Sequence, residues 1–141
     1  MRAMTRDEVR AFLLEGTRTA ALATVREDGR PHVAPVWFTL DGDDLLFNTG
    51  KTTIKGRNLQ RGGRVALMVD DERPPFAFVT IEGTATVSED LEEMLLWATR
   101  IAARYMGEEL AAAYGIRNAV PGELLVRVTP TKVTAMTGVA D

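Results

Sequence analysis

The chain has 141 residues, of which 45% are hydrophobic, and this fits one domain spanning 1–141 with a real core. With 17 Lys and Arg against 20 Asp and Glu the net charge is −3, which disfavours general nucleic-acid binding. The absence of Cys and the single His exclude a disulfide framework, a thiolate nucleophile and a multi-histidine metal site.

The N-terminus reads directly into a charged helix. Thr5-x-x-Glu8 is a capping box, Val9, Phe12 and Leu13 follow at helical spacing, and Gly16 ends the helix. The segment lacks the apolar stretch of a signal peptide, and no later run approaches the ~20 apolar residues that span a membrane. A cytoplasmic protein without membrane contact is expected. Strands are predicted at 19–25, 32–40 and 44–49, joined by the turns Asp28-Gly29 and Asp41-Gly42-Asp43, as one antiparallel meander. Residues 50–61 change character and form a short helix that Thr52 or Thr53 can cap, stopped by Gly62-Gly63.

A fourth strand is expected at 64–70 and a fifth at 76–87, where Gly83 marks a bulge or bend. Asp90 opens a long helix with Leu91, Met94, Leu95, Ala98, Ile101, Ala102 and Tyr105 on one stripe, and a shorter helix covers 108–114. Two final strands, 124–128 and 133–136, are separated by Pro130. The whole is mainly β with flanking helices, and a small closed barrel best hides the strand edges, with a sandwich as the other architecture.

The most informative stretch for chemistry is 48–59. A strand runs into a flexible Gly, then hydroxyl residues, then a basic helix start carrying Lys51, Lys55 and Arg57. The N–H groups and dipole of a helix start favour an anion, and charge-assisted bonds from these cations suit a phosphate. A solvated basic helix face is the other reading. The Gly-x-x-x-x-Gly-Lys-[Ser/Thr] nucleotide loop is absent. In 30–38, Pro35 leaves a ladder position without its N–H, and Trp37 and Phe38 point to opposite faces, so one can pack inside and the other line a pocket or an interface. One His supports no Ser/His/Asp triad, so a bound cofactor has to carry any chemistry.

The runs TAALATVREDGRPHVAPVWF, LLFNTGKTTIKGRNLQRGGRVALMVDD and FVTIEGTATV resemble the split-barrel flavin-binding superfamily of pyridoxamine 5′-phosphate oxidases, in its branch of deazaflavin (F420)-dependent reductases. The resemblance covers roughly residues 8–137. It implies an FMN-binding split barrel, homodimeric, with two cofactor sites at the dimer interface. By position, Lys55 is the main phosphate ligand, with Lys51 and Arg57 in support. Thr53 and Ile54 offer hydroxyl or backbone contacts, and Asn48 and Thr49 touch the ribityl-like chain. His32, Pro35, Val36 and Trp37 run under the tricyclic ring. Phe76, Ala77, Phe78 and Val79 reach it from a neighbouring strand, across the dimer interface.

Two departures refine the expectation. FMN oxidases of the superfamily commonly carry Arg-Lys where this chain has Ile54-Lys55, which tilts the choice from FMN towards coenzyme F420 and its less charged phosphodiester. The tail Val128-Thr129-Pro130-Thr131-Lys132-Val133 lacks the basic Arg-Leu-x-Pro segment that binds substrate phosphate in true pyridoxamine-phosphate oxidases. The resemblance therefore implies hydride transfer between F420 and a small electron-poor organic substrate. An FMN-dependent oxidoreductase and a non-enzymatic flavin-binding module are the alternatives. No residue is assigned as catalytic; water is the first choice of proton donor, with Tyr105 and His32 behind it.

Overall fold

The computed structural model describes residues 1–141. Its elements in chain order are β1 (Arg2–Ala3), α1 (Arg6–Leu14), β2 (Ala20–Val25), β3 (Pro31–Val36), β4 (Thr39–Asp41), β5 (Asp44–Gly50), α2 (Ile54–Arg61), β6 (Arg64–Asp71), β7 (Ala77–Ser88), α3 (Leu91–Met106), α4 (Glu108–Asn118) and β8 (Glu123–Thr137). Seven strands follow one antiparallel path, β3-β2-β6-β7-β8-β5-β4, and β1 pairs with β8 off that path. The two ends of the path, β3 and β4, are joined only by Trp37 and Phe38. Two linking residues reach about 10 Å at most. The sheet must therefore curl until its edges meet, and because β3 and β4 do not pair, it closes as a split barrel.

That closure corrects two expectations. Residues 32–40 are not one strand, since the chain leaves the ladder at Trp37-Phe38 to step from one barrel edge to the other. The first three strands are not a meander either, because β5 pairs with β8 rather than with the β2–β3 hairpin. A third correction concerns the tail. β8 is a single strand of 15 residues that continues through Pro130. The register with β7 shifts at Glu82/Gly83, so Thr131 is bulged out, and Pro130 falls where no ladder N–H is required. A Cβ on Gly83 would stand 2.6 Å from the Thr129 carbonyl oxygen, so only glycine allows the strands to approach there.

The barrel interior holds Leu22, Phe38, Leu45, Phe47, Leu67, Val79, Val126 and their neighbours. A second cluster of Leu46, Met94, Trp97 and Leu125 seats α3 on the outside of β5 and β8. Consecutive residues Leu45, Leu46 and Phe47 are all buried because both faces of β5 are covered. Trp97, absent from the expected stripe of α3, belongs to that seat, whereas Leu91 and Leu95 are exposed. The Thr5 capping box forms as expected, with Glu8 N–H donating to Thr5 Oγ1 at 3.2 Å and Thr5 N–H donating to Glu8 Oε1 at 3.0 Å. No helix is long and apolar enough to cross a membrane.

Candidate cofactor site

The junction between β5 and α2 is built by three residues. Thr53 is the N-cap of α2: its Oγ1 accepts from the Gly56 N–H at 3.1 Å and donates to the Gly50 carbonyl at 2.8 Å. Gly56 lets the helix sit on the end of the strand, since a Cβ there would be 2.1 Å from the Gly50 carbonyl oxygen. Asn58 fixes the other side by donating to Thr24 Oγ1 of β2 at 2.9 Å, with both residues buried. The first-turn N–H groups of Ile54 and Lys55 have no partner within the helix. They open towards a surface where Lys55 and Arg57 form no ion pair, while the Lys51 ammonium is held by Glu89 at 2.8 Å.

Two buried side-chain polar atoms in the protein lack a hydrogen-bond partner, His32 Nδ1 and Glu123 Oε2, and both border α2. His32 pairs with Thr24, the residue Asn58 grips, and shares its inward sheet face. Glu123 pairs with Gly50 at the foot of the helix. Burial pushes the Glu123 carboxyl up from its ordinary value while the charge of Lys55 pulls it back. A basic helix start flanked by orphaned polar atoms fits a ligand carrying both an anionic and a hydrogen-bonding portion.

The other anticipated residues divide into three groups. Thr49 is buried, with its Oγ1 3.4 Å from that of Thr53, and Asn48 is half-buried beside it on β5. Pro35 points outward, Val36 and Val79 belong to the core, so that only their backbone is available to a ligand, and Trp37 is 41% exposed. Ala77 and Phe78 open β7, and Phe76 just precedes it, at the end of that strand far from α2. Phe78 is seven residues from Ala85, whose N–H donates to Gly63 just beyond α2, so the separation along the strand is about 23 Å. Within one chain they do not join the α2 site.

Tyr105 is removed as a proton donor. Its hydroxyl donates to the Arg18 carbonyl at 2.7 Å and accepts from the Phe38 N–H at 3.2 Å, and burial pushes its ionisation upward. Glu123 was not anticipated. Nothing local in the sequence ties it to residues more than sixty positions earlier; only the β5–β8 register does.

A cavity of about 610 Å³ lies elsewhere, between α1, the β4–β5 turn and the β7–β8 bulge. Its walls are mostly apolar, and its arginines are engaged: Arg6 pairs with Asp43 and Arg10 donates to the Gly42 carbonyl at 2.6 Å. It holds no orphaned buried polar atom of the kind found beside α2, so the α2 junction is the better candidate.

A family model described as pyridoxamine 5′-phosphate oxidase matches residues 5–137. The chain belongs to that family. The chain is 35% identical over 103 residues to an F420H(2)-dependent biliverdin reductase of Mycobacterium tuberculosis (strain CDC 1551 / Oshkosh), over 70% of this chain and 71% of that protein. The crystal structure of the conserved hypothetical protein Rv2991 from Mycobacterium tuberculosis shares the fold, with a TM-score of 0.84 at 24% identity over 96% of this chain and 86% of the other. A structure of an F420 reductase matches with a TM-score of 0.69 at 28% identity, over 87% of this chain and 94% of that one.

Proposed function

We propose that this chain is an oxidoreductase that holds coenzyme F420 by its phosphate at the start of α2 and passes a hydride between it and a small electron-poor organic substrate. The observation that carries the reading is the α2 junction itself: two unpaired cations and open N–H groups at one helix start, with an orphaned Glu123 oxygen at its foot and His32 Nδ1 deeper beside the helix. Kinship with an F420H(2)-dependent reductase supports the choice of cofactor. Ile54, 48% exposed at the first helical position, adds no third cation beside Lys55 and Arg57 for a doubly charged phosphate.

When bound, the deazaflavin supplies the hydride chemistry. The protein binds, orients and shields. Lys55 and Arg57 hold the phosphate, Thr53 keeps the helix start open towards it, and Asn48 and Thr49 lie along the β5 approach. The His32–Trp37 strand supports the ring, with His32 Nδ1 available to a polar atom of the ligand. With the Tyr105 hydroxyl engaged, water and His32 remain as routes for a proton. In a homodimer of this chain, the Phe76–Val79 segment of one copy would complete the site of the other. We place the dimer in the cytoplasm.

FMN on the same fold is the second reading, favoured by two neighbouring free cations, Lys55 and Arg57. Titrating the purified protein with F420 and with FMN separates the two. Micromolar binding of F420 with weaker FMN binding is expected, followed by reduction of a quinone, enone or tetrapyrrole acceptor by F420H2. Binding of neither cofactor would sink the enzyme reading. Binding without turnover of any acceptor would make the chain a cofactor-binding module.

A further inference from the structure

Glu123 opens β8 directly opposite Gly50, the last residue of β5. Its Oε2 lies 3.7 Å from where a Cβ would stand on Gly50, next to the methyl of Thr53, so the carboxylate leans against the strand–helix junction. That atom is sealed from solvent and receives no hydrogen bond. It sits within the field of Lys55, a cation with no ion pair of its own. One oxygen of this half-buried carboxylate is thus shut off from water without a donor, which is unfavourable in the free protein and calls for a role that a hydrogen-bonded residue would not fill.

The charges around the junction supply one. Around the helix start stand Lys51, Lys55 and Arg57 with Glu89 and Glu123; Lys51 is already paired with Glu89, and Lys55 acts on Glu123. One net positive charge is left for a ligand. A phosphodiester carries one negative charge at neutral pH, whereas a phosphomonoester carries about −1.5 to −2. The second charge of a monoester meets the Glu123 carboxylate with no cation left to offset it. We propose that Glu123 is a charge-selecting residue of the α2 site, admitting a singly charged phosphodiester and discriminating against a doubly charged phosphomonoester. This rests on the reading that α2 receives a cofactor phosphate, and it identifies a determinant of cofactor choice that acts from the strand opposite.

The test is a parallel titration of wild type and Glu123→Gln with F420 and FMN at pH 8, where the monoester is fully ionised. Gln keeps the shape and removes the charge. FMN affinity is expected to rise at least tenfold while F420 affinity changes less than threefold. A ratio of the two affinities that stays within threefold of wild type would overturn the proposal. Simple phosphates provide an arm independent of either cofactor and of the variant's folding. In 15N-labelled wild-type protein, dimethyl phosphate is expected to shift the Lys55 and Gly56 amides, and inorganic phosphate at the same concentration to leave them in place. Equal shifts from both probes, or from neither, would reject the role of Glu123. If neither cofactor binds but the two phosphates are discriminated by wild type and not by Glu123→Gln, the cofactor reading fails and the charge selection by Glu123 stands; discrimination unchanged in the variant overturns it.

Discussion

The indole of Trp37 and the phenol ring of Tyr105 stack with centroids 4.8 Å apart and planes 3° from parallel. The contact lies at the split of the barrel, where β3 and β4 meet end to end without pairing. Beside it, the Arg104 guanidinium donates to the carbonyls of Leu13, Gly16 and Phe38 at 2.7, 3.0 and 2.8 Å. The last turns of α3 thus satisfy both the N–H and the carbonyl of Phe38, where no neighbouring strand does. One helix end joins α1, the link from α1 to β2 and the two-residue link between the barrel edges.

Tyr105→Phe tests this clasp. The ring remains to stack on Trp37, while the Phe38 N–H and the Arg18 carbonyl lose their partner. A loss of about 1–3 kcal/mol is expected, the cost of stranding buried polar groups. Urea unfolding measures it. Cofactor binding should be retained, because the hydroxyl faces the clasp and not the α2 junction.

Gly56→Ala separates packing from helix propensity. Alanine in a helix interior normally stabilises by about 1 kcal/mol relative to glycine. Here the added Cβ collides with the Gly50 carbonyl, so α2 must lift from β5. A destabilisation of about 1–3 kcal/mol is expected, as for overpacked cores, together with weakened cofactor binding. Thermal unfolding and a cofactor titration on the same sample read both effects, and a stabilised variant would contradict the close seating of the helix.

The acid limb of stability has an assignable contributor. A bidentate hydrogen bond from Arg2, with the Thr5 N–H behind it, draws the Glu8 carboxyl from its ordinary 4.5 to about 2. A carboxylate with a depressed pKa stabilises the fold above its unfolded pKa, and the gain is lost as pH falls towards the folded one. Glu8→Gln keeps a capping side chain and removes the charge. Urea midpoints of wild type and variant should differ above about pH 4.5 and converge as the pH approaches 2.

What the sequence revealed about this fold was whatever is written locally. The Thr5 box, the Thr53 cap, the Asp90 cap and the hairpin glycines each act within three or four residues, and each formed as read. What escaped depends on distant pairing. Pro130 reads as a strand break, yet the bulge opposite Gly83 removes the need for its N–H. Residues 32–40 read as one strand because nothing in their composition signals that barrel closure bends the chain at Trp37. The candidate site divides the same way. The basic start of α2 is a contiguous motif, whereas Glu123 reaches it only through the β5–β8 register and Tyr105 owes its structural role to a helix folded over the barrel's seam.

Lys55 bears most directly on the proposed cofactor site. Isothermal titration of F420 into wild type and Lys55→Ala, at fixed ionic strength, compares affinities without requiring a substrate. Removing a charged hydrogen bond to the phosphate should cost about 1.5–3 kcal/mol, a weakening of roughly 10- to 150-fold, with the fold unchanged by circular dichroism. An affinity equal to wild type would remove the phosphate from the start of α2.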